Sequence, residues 1–412
     1  MTMTKFTVII PTRERSDVLK AALKTVLTQN YENLEVIVSD NFSCDDTEDV
    51  VASFDDKRIR YINTGKRVGM SQNWEFALTH VSNGWLTVIG DDDGLLPGAL
   101  EKVAEIIRQT GAKAIRSATC SYGWPCLIGN DFGSLGVPVG SGWEKRSSNK
   151  WLERVMMGKS SYTSLPVLYN GGFVDFEVLK KIKENSGAFF CSMSPDVYMA
   201  FAISSVISDY IYLYEPLAIN GASIHSGGTC AFSKKKKDKS SPSEKFLSEP
   251  NIPFHEALPL SKYGKPVTSI QIVIYESYLQ SECLRKSSEF KDHQKQLGLI
   301  LASSGNFKEL VADWGNIFAD KHTLNIDKAR FNAKYHKLYS KVFGWPSRFK
   351  IKLGTYIIRG TRGCPLRDVY EASIVAGTVR AIEPSRFKIF LYFVKSEIKN
   401  IIVRNKQKVH EK

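Results

Sequence analysis

The stretch "FTVIIPTRERSDVLKAALKTVLTQNYENLEVIVSD", residues 6–40, alternates a β-branched run, a helical pattern and a second β-branched run. Phe6–Ile10 and Leu34–Ser39 are short, apolar and bounded by Pro11 and Asp40, which suits buried strands. Between them Val18, Leu19, Ala22, Leu23, Val26 and Leu27 fall on one helical face, with Ser16 placed as an N-cap. The alternation continues outward. Ile59–Asn63, Trp85–Ile89 and Ala114–Ala118 read as strands, and helices are expected from Thr47, over Met70–His80 and from about Pro97. Such a chain predicts an α/β fold, a mostly parallel sheet flanked by helices. Ligands of these sheets bind beyond the carboxyl ends of the strands. Pro11-Thr12-Arg13, Asp40-Asn41 and Asp91-Asp92-Asp93 all stand at such ends, which predicts one shared crevice.

The acidic triplet lies in "VIGDDDGLLPG", residues 88–98. Two unit charges about 4 Å apart repel by roughly 1 kcal/mol in bulk water and about 4 kcal/mol at an effective dielectric of 20. Three carboxylates behind a buried strand therefore need either an open, wet turn ahead of a helix or a cation.

The 412-residue chain exceeds one typical domain, and its net charge of +13 is unevenly spread. Residues 331–412 hold 18 Lys+Arg against 5 Asp+Glu, while the first 330 residues balance. An acidic partner is expected at that end only. Seven scattered cysteines without metal-type spacing fit reduced thiols and a cytoplasmic protein. Phe6–Ile10 is too short for a signal sequence and meets Pro11, and no apolar run is long enough to span a bilayer.

"VIIPTRERSDVLKAALKTVLTQNYENLEVIVSDNFSCDDT", residues 8–47, followed by "VGMSQNWEFALTHVSNGWLTVIGDDDGLLPGAL", residues 68–100, resembles the family 2 glycosyltransferases, inverting enzymes of the GT-A fold. The likeness returns at "GGFVDFEVLKKI" and "CSMSPDVYMAFAIS" and fades after about Ile224. It implies a Rossmann-like GT-A sheet; the C-terminal 160 or so residues lie outside the likeness, and their pattern reads as an α-helical C-terminal region. It also implies transfer of a sugar from a nucleotide-sugar donor with Mn²⁺ or Mg²⁺. On the family pattern Asp91, Asp92 and Asp93 bind the donor, with Asp91 and Asp93 on its metal-bridged diphosphate. Asp40 meets the nucleotide base, and Asn41 stands where a second acid is commoner. Pro11 and Thr12 wrap the nucleotide; Arg13 joins them or pairs with Glu14. Arg67 lies near the diphosphate or is a solvated loop charge. Asp196, behind Pro195 where the family more often has Glu, is the general base, a helix N-cap, or both. His225 is a further metal ligand or a structural histidine. Trp124 and Trp143 face an acceptor sugar or anchor a loop.

The expected organisation is a catalytic domain over residues 1–232, a Lys/Ser-rich linker or lid over 233–250, a helical region over 251–345 and a basic tail over 346–412. In the tail Phe387, Leu391, Val394, Ile398 and Ile402 form one apolar stripe among lysines and arginines. That pattern suits a helix on an anionic membrane surface or one packed on a neighbour. No nucleic-acid-binding fold is visible. The reading is a metal-dependent transferase acting on a glycan or lipid-linked acceptor at the cytoplasmic membrane face, in envelope polysaccharide synthesis. The alternative is a non-catalytic nucleotide-sugar-binding or scaffold subunit. A dehydrogenase is disfavoured, because no G-x-G-x-x-G follows the first strand.

Overall fold

The computed structural model describes residues 3–125, 133–224, 226, 246–284, 290–338, 355–358 and 366–382. Strand β1 (Phe6–Thr12), helix α1 (Ser16–Leu27) and strand β2 (Leu34–Asp40) open the fold. Helix α2 (Thr47–Ala52), strand β3 (Ile59–Asn63), helix α3 (Met70–Thr79) and strand β4 (Trp85–Val88) follow. β1 lies between β2 and β4, β2 pairs with β3, and all three pairings are parallel. The carboxyl ends of these strands therefore share one edge, as the alternation predicts.

Beyond β5 (Gly94–Leu95) and α4 (Ala99–Thr110) the sheet becomes mixed. β6 (Ala114–Gly123) continues past the expected end at Ala118, because β10 (Asp209–Ala222) runs parallel to it along most of its length. β7 (Leu135–Pro138) and β8 (Trp143–Ser147) flank these two as antiparallel partners, and α5 (Ser148–Met156) follows β8. β9 (Gly172–Asp175) inserts antiparallel between β4 and β6, so its start lies beside the end of β4. Helices α6 (Phe176–Ser186) and α7 (Pro195–Val206) complete this part.

Alternation along β1 builds both faces of the core. Val8 and Ile10 pack with Leu19, Leu23, Val36 and Val103, while Ile9 packs with Ile37, Leu78, Val88 and Leu179. Helix α7, "PDVYMAFAISSV", is apolar all round and is buried accordingly. Its Tyr198 and Ala202 face the sheet, and its Val197 and Phe201 face a helical layer built on α8 (Ile270–Gln280), α9 (His293–Ala302) and α10 (Lys308–Lys321). The same helix thus closes one core and opens the next. The helix Val369–Ile382 returns to the sheet, where Val369, Ala372 and Ala376 pack with Val18, Leu135 and Ile219. Among the described residues no helix is long and apolar enough to cross a membrane.

Candidate active site

The three carboxylates that end β4 are all buried, Asp91 at 1%, Asp92 at 5% and Asp93 at 1% exposure. The wet-turn alternative is therefore closed, and each acid is held differently. Asp91 accepts from the Arg15 guanidinium at 2.8 Å. Burial raises the Asp91 pKa, Arg15 opposes that and Asp92 adds to it. Burial works against the Arg15 charge in turn, but Asp91 and Asp92 overcome it and hold Arg15 above its ordinary value. Asp92 accepts from Ser223 at 2.6 Å and Ser226 at 2.5 Å, and its carbonyl accepts from Trp124 Nε1 at 2.9 Å. Trp124 is thus a buried anchor, whereas Trp143 is 43% exposed on β8.

Asp93 accepts from Tyr169 Oη at 2.5 Å, from Gly90 N at 2.9 Å and from Gly221 N at 2.8 Å. Gly221 has to be glycine, since a Cβ there would lie 1.8 Å from the Asp92 carbonyl oxygen. Burial and the neighbouring Asp92 push the Asp93 carboxyl up to about 8, against the pull of those three donors.

Asp40, at the end of β2, accepts from Ser43 Oγ at 2.5 Å, Tyr61 Oη at 2.7 Å and Asn63 Nδ2 at 2.9 Å. Asn41 clamps the following loop, donating to Val68 O and accepting from Val68 N. Thr12 is buried at the end of β1, and its carbonyl accepts from Asn41 N at 3.0 Å. Arg13 and Glu14 do not pair with each other. Arg13 bonds Glu249 and Glu14 bonds Arg67, because Glu14 stands at a positive φ of 53° and turns away. Arg13 is pulled below its ordinary value by burial and then by Arg67 and Arg15, so three guanidiniums gather beside the acids.

Asp196 lies in the first turn of α7, two residues after Ser194, and keeps some exposure. Tyr162 Oη donates to it at 2.8 Å. Burial raises its pKa, while Tyr162 and the helix N–H groups oppose the rise. Tyr169, from the turn before β9, meets the acids that follow β4. It bonds Asp93, and burial followed by Asp93, Asp92 and finally Asp196 raises its own pKa. The turn is pinned by Arg116, buried and donating to Thr163 O at 2.8 Å and Asn170 O at 2.6 Å. Asn170 N in turn donates to Val88 O at the end of β4.

Asp91, Asp92, Asp93, Thr12, Pro11, Asp40, Arg13 and Arg67 thus share one strand edge, and Asp196 lies at the start of α7, bonded to Tyr162. His225 lies outside the described residues, as do 233–245 of the linker and the stripe of the tail. Among the described residues no three His, Cys, Asp or Glu side chains converge as a metal-binding group.

The family model "Glycosyl transferase family 2" matches residues 7–123, the strands and turns that form this edge. Over these residues the chain is similar to the family 2 glycosyltransferases. The chain is 40% identical over 106 residues to the Campylobacter jejuni GalNAc(5)-diNAcBac-PP-undecaprenol beta-1,3-glucosyltransferase, covering 25% of this chain and 34% of that one. It is 29% identical over 94 residues to an Escherichia coli UDP-Glc:alpha-D-GlcNAc-diphosphoundecaprenol beta-1,3-glucosyltransferase, covering 23% of this chain and 37% of that one. The chain thus spans about a third of the length of these curated relatives. Staphylococcus aureus TarS 1-349 with UDP-GlcNAc superposes with a TM-score of 0.45 at 14% identity, over 81% of this chain and 92% of that one.

Four residues that hold these acids and the neighbouring turn escape a reading of the sequence: Arg15, Tyr162, Tyr169 and Arg116. Tyr169 carried a signal, since Asn170-Gly171-Gly172 after it is turn chemistry that ends at a strand. Asn170 has φ 40° and Gly171 φ 89°, as such a turn requires.

Proposed function

We propose that the chain is an inverting transferase that moves a sugar from a nucleotide-sugar donor to a lipid-linked glycan acceptor, assisted by a divalent cation. The observation that carries this reading is the set of buried acids Asp91, Asp92 and Asp93 held by Arg15, Ser223 and Tyr169 at the edge formed by residues 7–123, which match the family 2 model. Asp196 stands apart from these acids in the first turn of α7, with Tyr162 donating to it. The printed names of two relatives, both with undecaprenyl diphosphate acceptors, support the acceptor class.

The acids suit a hard cation. Asp91 and Asp93 are buried carboxylates with raised pKa values beside a third acid, so added positive charge favours their ionised forms. Mg²⁺-type ions are typically held by one or two carboxylates with substrate phosphates and water, so two acids without a third ligand suffice. Asp91 and Asp93 are the residues that would hold the ion. When bound, it offsets charge developing on the departing diphosphate.

The chain's own residues do the rest. Arg15 orients Asp91 and favours its ionised form, and Ser223 and Ser226 tie the end of β10 to Asp92. Arg13 and Arg67 add positive charge beside the diphosphate, and Asp40 with Pro11 and Thr12 faces the nucleoside. Asp196 takes the proton of the acceptor hydroxyl as that oxygen attacks the anomeric carbon on the face opposite the leaving diphosphate. A base is most effective when its pKa lies near the working pH, and burial moves Asp196 in that direction. Asp196 must be ionised to act, so activity rises with pH through its raised value. The test is donor turnover with a synthetic polyprenyl-diphosphate sugar as acceptor, with and without chelator. Turnover needing both acceptor and cation is expected, and turnover indifferent to chelator would remove the ion from the proposal.

A further inference from the structure

The helix over residues 326–338 buries one side and leaves a second apolar side open. Ala329 and Ala333 are buried, and Asn332 meets Gly298 of α9. Phe331, Tyr335 and Leu338 stand 71%, 62% and 61% exposed. Residues at i, i+4 and i+7 fall on one strip of a helix. Scattered single apolar residues on a surface are ordinary; three large ones in register form a patch.

The charges around the strip indicate what it meets. The helix carries Lys328, Arg330, Lys334 and Lys337 against one acid, Asp327. Asp327 pairs with Arg330, and among the described residues Lys328, Lys334 and Lys337 form no ion pair. On the adjoining edge, Asn332 and His336 line a cavity of about 1260 Å³ with four exposed lysines, Lys150, Lys159, Lys181 and Lys295, against two acids, Glu153 and Asp292, the latter paired with Lys295. A second copy docked on this face would bring its own cations onto these. Residues 339–412, beyond the helix, hold 16 Lys+Arg against 5 Asp+Glu, a net +11, so the chain's own tail is repelled in the same way. An anionic bilayer satisfies both features, with aromatic and aliphatic side chains in the headgroup boundary and lysines among the headgroups.

We propose that the outward face of the 326–338 helix docks on an anionic lipid surface. The inference deepens the reading of a lipid-borne acceptor and rests on it for its purpose. Each lysine near such a surface strengthens binding about fivefold, so three give about a hundredfold. Added salt weakens the effect, as the screening length is about 8 Å at 0.15 M.

The test is hydroxyl-radical footprinting of the full chain, alone, with phosphatidylcholine vesicles, and with phosphatidylglycerol–phosphatidylcholine vesicles. Phe331 and Tyr335 are expected to be protected by the anionic vesicles alone. The triple variant Lys328→Gln, Lys334→Gln, Lys337→Gln should lower vesicle partitioning about a hundredfold. The triple variant Phe331→Ser, Tyr335→Ser, Leu338→Ser should lower it at least about tenfold. Both should keep the wild-type melting temperature and lipid-free donor turnover. Lack of protection on anionic vesicles overturns the proposal. Protection without lipid that grows with protein concentration also overturns it, in favour of a second copy. Partitioning is measured without donor or acceptor, so a failed transfer assay leaves it intact and the reverse also holds.

Discussion

Asp40 and Asp196 are both carboxylates at the rim of the same sheet, yet their surroundings are opposite. Asp40 accepts from Ser43, Tyr61 and Asn63, all polar groups of its own strand–turn–strand neighbourhood. Asp196 is held by Tyr162 and its own helix N–H groups, and burial leaves its pKa raised. The difference separates two tasks. A carboxylate that only accepts hydrogen bonds from a ligand works best fully ionised and fixed. One that must gain a proton works best with its ionised form incompletely compensated. Asp40 is fixed by three donors and Asp196 by one side-chain donor, while Asp91 and Asp93 share with Asp196 a carboxyl raised by burial.

The largest test of this contrast is Asp196→Asn, which should lower kcat by about 10²–10⁴-fold, the usual contribution of a positioned base. Donor affinity, measured by calorimetry, should remain, because the donor-side acids are untouched. Equal loss of both would show that the two regions are one unit. Asp40→Asn should give the converse, weaker donor binding with kcat at saturating donor retained.

Arg116→Met comes next. The guanidinium supplies donors to the carbonyls of Thr163, Tyr169 and Asn170 from inside the protein. Leaving such acceptors without donors costs about 1–3 kcal/mol each. Partial relaxation suggests a loss of about 4 kcal/mol in chemical denaturation. The damage should fall on the turn bearing Tyr169 and not on β1–β3. Hydrogen exchange that rises equally in β2 would erase the distinction.

The same contrast governs what can be read from sequence. The parallel block was legible because its chemistry is local: strand, turn and acid adjoin in the chain, and the periodicity of Val18 to Leu27 marks the crossover helix. The second region was not, because its contacts join distant positions. Trp124 reaches Asp92 across 32 residues of chain, and Tyr169 reaches Asp93 across 76. Nothing near Tyr162 in the sequence marks it as the partner of Asp196. The pairing of Arg13 with Glu249 likewise connects residues 236 apart, so the nearer Glu14 was the natural candidate.

A smaller effect is expected where the sheet and α7 meet the helical layer. Glu276 of α8 is fully buried and accepts from Ser192 Oγ at 2.5 Å, four residues before Asp196. Burial pushes its carboxyl up to about 7 from an ordinary 4.5. The folded state therefore binds this proton more tightly than the unfolded state. The stability it contributes is whole below about pH 4.5, declines as pH rises towards 7 and is gone above that. Glu276→Gln should remove the decline, leaving the variant up to about 3 kcal/mol more stable than wild type at pH 8 and nearly equal at pH 4.5. Urea titrations at the two pH values measure this, and a variant less stable at pH 8 would mean that the charged form is compensated.

Tyr169→Phe has the smallest expected effect and bears most directly on how the two regions meet. The substitution keeps the ring that packs on Trp74, with centroids 5.7 Å apart, and removes only the hydroxyl on Asp93. A hydrogen bond to a charged group is worth about 1.5–3 kcal/mol, so donor affinity should fall about tenfold or somewhat more. The sign of the pH effect follows from the same bond. Tyr169 helps to hold the Asp93 carboxyl down against burial and Asp92, so without it the pKa rises above about 8. If donor and cation require ionised Asp93, the pH at which binding reaches half its maximum must move upward in the variant. Tyr162→Phe instead frees Asp196 from its donor and raises that carboxyl, shifting the acid limb of kcat upward while donor affinity stays in place. Two hydroxyl deletions that move different limbs would keep the regions distinct. If both move the same limb, Asp93 and Asp196 titrate as one coupled pair through Tyr169, and the contrast between the regions becomes a division of labour within a single acid cluster.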